Sequence, residues 1–220
     1  MSISNQRASV LTGLIAAQNT VQHPRILVVG CGRGIEAAVL AQDLGADVIG
    51  LDLDPCFDPE AVRYARLVTG DATALEFDDG VFNIVYSYHA LEHIPDYHKA
   101  LEEMHRVLLK GGVWCIGTPN RARLVGYVGG NSTWREKFVW NWADWRMRLT
   151  GRFRNEQGAH AGYTSKELNE ILLRHFSRVD EVTSDYYIRL YQRRKAVVSV
   201  LISSGLGRFL FPSVYFMGRK

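Results

Sequence analysis

The stretch that most limits what this chain can become is Ile26-Leu27-Val28-Val29-Gly30-Cys31-Gly32-Arg33-Gly34, followed by the helix-forming run Ile35 to Leu44. Consecutive branched apolar residues predict a strand buried on both faces. The alternating glycines then turn the chain into a helix. Such a turn leaves backbone N–H groups at the positive end of the helix, and the missing side chains let a ligand approach the main chain closely. The spacing is Gly-x-Gly-x-Gly, with Ile35 where a dinucleotide fingerprint has its third glycine, and there is no Lys-Ser/Thr pair of a phosphate-binding loop. A glycine turn without a ligand is the competing reading of this stretch taken alone.

The next ninety residues repeat the rhythm. Asp47 to Leu51 predicts a second strand ending at Asp52, a carboxylate about 20 residues past the glycines and placed to accept hydrogen bonds from ribose hydroxyls. Asp58 and Pro59 open a short helix. Leu67 to Thr69 is a short third strand closed by Gly70-Asp71-Ala72, and Val81 to Ser87 is the fourth. Asp96 to Leu109 has helical periodicity and stops at Gly111-Gly112 as at a glycine cap. Val113 to Thr118, ended by Pro119, is the fifth strand. Strands alternating with helices over residues 25–120 imply βαβ units and a parallel sheet.

Either side of this core the signals are weaker. Residues 3–19 predict an amphipathic helix with Ile3, Val10, Leu14 and Ala17 on one side. Thr164-Ser165-Lys166-Glu167 is a capping box opening a helix through Leu168, Ile171 and Leu172. Val179 to Tyr187 predicts a sixth strand, Gln192 to Ser204 a helix and Ser213 to Met217 a last strand.

At 220 residues, 47% apolar and 22% charged, the chain has the composition of one folded domain rather than a disordered or polytopic membrane protein. Cys31, Cys56 and Cys115 are scattered without a C-x-x-C, which fits free thiols in a reducing compartment. The first 25 residues lack a secretory apolar core, so the cytoplasm is expected. Charge is uneven: residues 1–120 carry 8 Lys/Arg and 15 Asp/Glu, residues 121–220 carry 18 and 8. The basic half suits an anionic substrate, a membrane surface, nucleic acid, or no partner at all. Residues 196–217 are too broken by Ser199, Ser203, Ser204, Gly205, Gly207, Arg208 and Pro212 to span a bilayer. Peripheral membrane contact through 193–212, or a cover over a greasy substrate, remains open.

Taken together, Val29-Gly30-Cys31-Gly32-Arg33-Gly34, Gly50-Leu51-Asp52, Gly70-Asp71-Ala72, Phe82-Asn83-Ile84-Val85-Tyr86-Ser87, Ala90-Leu91-Glu92-His93-Ile94-Pro95-Asp96 and Leu108-Leu109-Lys110-Gly111-Gly112 are in the order and spacing of one family. The chain resembles the class I S-adenosylmethionine-dependent methyltransferases, in particular the small ones related to quinone biosynthesis. That resemblance implies an α/β, Rossmann-like three-layer sandwich: a seven-stranded, mostly parallel sheet whose last strand is antiparallel and inserted beside the sixth. It implies one methyltransferase domain over 1–220, with a cofactor-binding core at 25–120, an aromatic and basic substrate lid at 120–162, and the C-terminal part of the sheet at 163–220. S-adenosylmethionine, with S-adenosylhomocysteine as product, is the implied cofactor. Gly30, Cys31, Gly32 and Gly34 would meet its amino-acid end, Asp52 and Leu53 its ribose, Asp71 and Ala72 its adenine, and Ser87 and Tyr88 its methionine portion. The family often carries an acidic residue two before the first glycine; here that position is Val28.

Methyl transfer from a sulfonium needs the acceptor positioned and water kept out, with a general base where the acceptor carries a proton. His89 and His160 are the catalytic candidates, His89 as a base or a substrate contact. Tyr88, His93, Trp134 and Tyr163 are the candidate substrate contacts, although His93 reads more readily as a structural histidine under the sheet edge. Arg121 and Arg123 either meet an anionic group or are solvated. His89-Ala-Leu-Glu92-His93 also spells the H-x-x-E-H of a zinc protease, but it lies between a strand and Pro95 rather than on a continuous helix. Some relatives bind magnesium through Glu-x-x-Glu-His at this place; His89 replaces the first glutamate, and no metal is expected. Trp134, Trp140, Trp142 and Trp145, interleaved with Arg and Lys, form either the acceptor lid or a satellite core. The expected activity is methylation of a small hydrophobic or aromatic acceptor, with O-, N- and C-transfer all open. An RNA methyltransferase, motivated by the basic half, and a non-catalytic cofactor-binding or membrane-surface protein are the alternatives. No nucleic-acid partner is expected.

Overall fold

A computed structural model describes residues 5–126, 133–155 and 160–220. Helix α1 (Gln6–Gln18) precedes β1 (Arg25–Val29), α2 (Ile35–Leu44), β2 (Asp47–Asp52), β3 (Arg66–Thr69), β4 (Phe82–Tyr88), α3 (Tyr97–Val107) and β5 (Leu108–Pro119). There follow α4 (Trp134–Leu149), α5 (Ser165–Leu172), β6 (Asp180–Glu181), α6 (Thr183–Leu190), α7 (Lys195–Ser203), α8 (Gly207–Leu210) and β7 (Ser213–Arg219). Among the described residues the strands form one seven-stranded sheet in the order β3-β2-β1-β4-β5-β7-β6. Pairs from β3 through β5 are parallel, and β7 lies antiparallel between β5 and β6. This is the Rossmann-like sandwich the resemblance implies.

The apolar run of β1 explains itself in this setting. Ile26 and Val28 face one core, with Leu11 and Ile15 of α1, Leu40 of α2 and Tyr86. Leu27 and Val29 face the other, with Leu101 and Met104 of α3, Trp114 and Leu168. A central parallel strand covered on both faces has no reason to alternate polar residues. On β4 the register shifts between Phe82 and Ile84, and these two residues, both even in number, enter opposite cores. Strand order reverses between β1 and β4, so the carboxyl ends of these two strands diverge around a crevice.

Four expectations change. The sixth strand is only Asp180–Glu181, and the chain from Thr183 to Leu190 is helical. Thr183, Tyr186, Tyr187 and Leu190 recur at helical spacing, and burial of the two tyrosines against Tyr215 and Phe211 decides the matter. Helix α3 ends at Val107 without a glycine cap, and Leu108 already begins β5. Its last carbonyls are satisfied from outside instead: Gly80 and Val81 donate to Arg106 and Val107, and Lys220 Nζ reaches the Arg106 and Leu108 oxygens. The helix after Asp58 is a single 3-10 turn, Ala61–Arg63. In α1 the buried face is Ala8, Leu11, Thr12, Leu14 and Ile15; Ala17 is exposed, and Ile3 lies outside the described residues.

Among the described residues of 120–162 the tryptophans do not gather into a satellite core. Helix α4 has no buried residue, and the small cluster that does form is Phe153 and Ala161 with Met147 against them.

Two glycines give opposite expectations. A Cβ on Gly218 would fall 2.0 Å from the Arg178 carbonyl and 2.6 Å from the Trp114 ring, whereas one on Gly13, within α1, meets nothing within 4 Å. Gly218→Ala is expected to lower stability by at least about 2 kcal/mol, and Gly13→Ala to raise it by about 0.5–1 kcal/mol, both read from urea-unfolding midpoints.

Candidate functional site

At the end of β1 the chain turns so that Gly30 and Cys31 both donate to the Leu51 carbonyl, at 2.8 and 3.0 Å. Gly32 donates to Asp52 Oδ2 at 2.7 Å, and the other oxygen of that carboxylate accepts from Asp54 N at 3.0 Å. Main-chain donors thus hold Asp52 at the end of β2, against the glycine turn. Gly30 lies at φ +69°, and a Cβ there would come within 2.1 Å of Ala90 Cβ; only glycine lets the turn nest under the loop after β4. Gly32, at φ +51°, has nothing within 4 Å of where a Cβ would project. Beyond β3, Asp71 Oδ1 accepts from the N–H and the hydroxyl of Thr73, both at 2.8 Å. These bonds hold its carboxyl below the usual range.

Together these groups line a cavity of about 560 Å³ that includes Gly30, Gly32, Asp52, Leu53, Asp71 and Ala72. Its far wall is the segment after β4: His89, Ala90, His93, Ile94, Pro95 and Asp96. Sequence reasoning did not assign that wall to the cofactor, although Ile94-Pro95 supplies its apolar part. Four expected cofactor contacts lie off this lining. Cys31 is buried toward Gly50, with burial first and Asp52 second pushing its thiol up to about 12. Gly34 packs on Leu67 as the residue before α2. Ser87 is buried within β4. Tyr88 turns to a different cavity.

That second cavity, of about 320 Å³, lies on the other side of His89. Its walls are aromatic: Tyr88, Tyr186, Tyr187, Tyr191 and Tyr215, with Arg7, Arg123, His160 and Ser213 at its edges. His89 borders both cavities. It is held there by a left-handed backbone, φ 52°, an N–H bond to Gly117 O at 2.8 Å, a contact of 2.9 Å from Nε2 to Ser213 Oγ and stacking on Tyr88 at 4.0 Å. A non-glycine residue in that conformation is strained and needs such over-determination. Burial, reinforced by Arg123 and His160, lowers its pKa to about 3. His89 is therefore neutral at physiological pH, which suits a contact better than a base.

Behind this wall sits Glu92, its side chain fully buried and neither carboxylate oxygen hydrogen-bonded within the described residues. Its Oε1 lies 3.8 Å from His93 Nε2, and the His93 and His160 rings meet edge to face at 4.6 Å. Burial pushes the Glu92 carboxyl up to about 7, while burial and His160 lower His93. The ligand atoms of Glu92, His93 and His160 all fall within 4.8 Å of one another. One carboxylate with two imidazoles suits a transition metal better than magnesium. His89 stands apart from this group, because Leu91–His93 is a single 3-10 turn and no helix aligns an H-x-x-E-H face.

Of the expected substrate contacts, His93 lines the first cavity and Tyr88 the second. Trp134 and Tyr163 line neither. Trp134 opens α4 at 74% exposure, and Tyr163 is packed in the core against Tyr97. The tyrosines of α6 were missed because that segment reads as a strand, and Tyr215 and Arg7 because nothing local marks them. Arg123 is not solvated: it is buried, its anionic partner is the protein's own Asp144 at 3.1 Å, and it donates to the carbonyls of Asn120, Ala161 and His160. Arg121 pairs with Glu167 at 3.3 Å.

A parallel sheet with a glycine turn after its first strand, an acidic residue ending the second and a cavity across the switch point defines a Rossmann-like cofactor domain. Residues 27–116 match the family described as Methyltransferase domain. Over 102 residues the chain is 34% identical to 2-methyl-6-phytyl-1,4-hydroquinone methyltransferase of Synechocystis sp., covering 44% of this chain and 32% of that protein. Over 185 residues it is 27% identical to demethylmenaquinone methyltransferase of Staphylococcus epidermidis, covering 74% and 76%. The crystal structure of the YcgJ protein from Bacillus subtilis shares the fold, at TM-score 0.59 and 16% identity over 96% of this chain and 98% of that one. Over this core the chain is similar to methyltransferases, and its match spans about a third of the length of the first of these relatives.

The buried carboxyl gives a pH test. Glu92 is favoured in its protonated form by the fold, so its contribution is whole below its ordinary value of 4.5 and is lost as pH rises through about 7. Unfolding free energy of the wild type relative to Glu92→Gln is expected to fall by up to about 3 kcal/mol across that window and to level off above it, read from denaturant titrations at a series of pH values.

Proposed function

We propose that this chain transfers a methyl group to a small hydrophobic or aromatic acceptor held in the tyrosine-lined cavity. The observation that carries this reading is the position of His89, which lines both that cavity and the cofactor cradle. S-adenosylmethionine supplies a methyl carbon activated by the adjacent sulfonium charge. The cradle fits it: the space beside Gly32 is open to the main chain, and Asp52 stands at the end of β2. Gly30 and Gly32 would meet the amino-acid end, Asp52 and Leu53 the ribose, and Asp71 and Ala72 the adenine.

On the acceptor side the chain's task is to orient and to exclude water. Tyr88, Tyr186, Tyr187 and Tyr215 provide flat apolar walls, and burial raises the pKa of each hydroxyl, so all four stay neutral. They hold an aromatic ring by stacking and edge contacts. Neutral His89 is the hydrogen-bonding contact nearest the cradle. His160, with a ligand atom within 4.8 Å of those of Glu92 and His93, takes the proton from an acceptor hydroxyl or amine. The quinol and tocopherol methyltransferases among its relatives act on phenolic rings of this kind, and such an acceptor is the one this cavity suits.

Asp52→Ala is expected to weaken S-adenosylmethionine binding by about ten- to a hundredfold, by calorimetry. His160→Ala is expected to leave that affinity unchanged and lower kcat by about a hundred- to ten-thousandfold with a hydroquinone or phenol acceptor, followed by transfer of labelled methyl. Full turnover in the His160 variant would reassign the proton acceptor; no transfer to any ring acceptor by the wild type would overturn the reading.

A further inference from the structure

Helix α4 is amphipathic the wrong way round for a helix packed on a protein. Its less exposed positions are Lys137, Asn141, Asp144, Met147 and Arg148, and apart from Met147 and Ala143 its apolar residues are exposed and large. The inward face is fastened by polar bonds. Asn141 Oδ1 accepts from Gly126 N at 2.8 Å, Asp144 pairs with Arg123, and Arg148 donates to the Arg121 and Arg123 carbonyls at 2.9 and 2.8 Å. Outward lie Trp134, Phe138, Trp142, Trp145 and Leu149, at i, i+4, i+8, i+11 and i+15, a continuous stripe along the helix. Phe138 is 66% exposed, Trp142 64% and Leu149 82%. Sixteen residues carry the stripe for about 24 Å.

We propose that this face of α4 docks the protein on an anionic lipid surface. The stripe combines indole rings with Phe138, Val139 and Leu149, the mixture that partitions at the headgroup boundary, where a helix lies in plane with its apolar side sunk about 5–10 Å. The charges beside it are basic: Arg135 and Arg146 are exposed along its edge, whereas the helix's acids are engaged elsewhere. Glu136 closes the capping box with Thr133, and Asp144 is bound to Arg123 on the underside. Anionic headgroups complement this arrangement. A second copy does not, since pairing the face with itself sets basic edge against basic edge. A base-stacking role leaves Val139 and Leu149 without a purpose. Among the described residues no helix is long and apolar enough to cross a membrane, so the contact is peripheral.

The surface extends past α4. Trp145 Nε1 donates to Leu124 O at 3.0 Å, and Leu124 N donates to Phe209 O at 2.7 Å, within α8. Exposed Leu124, Leu206 and Leu210 lie along this seam, with Val197 and Val200 on α7 after exposed Arg193, Arg194 and Lys195. Gly126 and Arg123, which fasten α4, also line the tyrosine cavity, so docking sets that cavity beside the lipid, where a lipid-dissolved acceptor resides. This last step rests on the acceptor reading given above; the docking does not.

The test is co-sedimentation of the purified chain with phosphatidylcholine vesicles, with and without phosphatidylglycerol, followed also by tryptophan emission. Binding to the anionic vesicles, weakened by salt, with a blue shift, is expected. Phe138→Glu and Trp142→Glu are each expected to weaken it by at least about tenfold, with unchanged circular dichroism and S-adenosylmethionine affinity. Failure of the wild type to bind overturns the proposal, as does equal binding by both variants. A doubled mass in lipid-free solution that the variants abolish assigns the face to a second copy and overturns it, and binding to an RNA oligonucleotide that the variants abolish while vesicle binding persists does the same. Vesicle binding without transfer to any lipid-soluble acceptor keeps the docking and overturns the acceptor reading instead.

Discussion

The carbonyl of Leu51 and the carboxylate of Asp52 hold the glycine turn in place. Three successive N–H groups after β1, those of Gly30, Cys31 and Gly32, would otherwise end in a loop with no partner; they are bonded to the end of β2 instead. This fixes the turn's shape, its distance from the Asp52 carboxylate and the start of α2 in one stroke. Buried backbone donors must find acceptors, and here satisfying them also builds the cofactor cradle. The nesting of Gly30 against Ala90 then brings the loop after β4 over the same space.

Everything functional on the other side of the cradle depends on that loop. Since β1 and β4 are neighbours whose connections leave in opposite directions, residues just past β4 stand over the crevice. His89 is the first of them; its backbone is left-handed, and it lines both cavities. The burial that places it there removes its charge. The same burial favours a proton on Glu92, a few residues on. Burial in the wall between the two cavities thus disfavours the charged forms of both His89 and Glu92.

The cofactor half was legible in the sequence because its determinants are local. Strand, glycine turn, helix and a carboxylate at the next strand's end are set by residues adjacent in the chain, and Ile35–Leu44 and Asp47–Asp52 form as the spacing requires. The tyrosine-lined cavity was not. Val179 to Tyr187 reads as a strand by alternation, and only packing of Tyr186 and Tyr187 on Phe211 and Tyr215 makes it α6 and so a cavity wall. Arg7 reaches the cavity from the first helix. Arg123 looks like a surface cation in sequence and is a buried fastening for α4.

The sequence by itself determined the cofactor domain, because nearest-neighbour geometry and backbone hydrogen bonding dictate a turn of that kind wherever it occurs. Only the tertiary structure decided what lies across His89, which charges are lost to burial, and that α4 turns its polar side inward and its tryptophans out. Those are relations between segments as far apart in the chain as Arg7 and Tyr215, which line one cavity. They arise from packing that competes with local preference, and no periodicity within a single segment records its outcome.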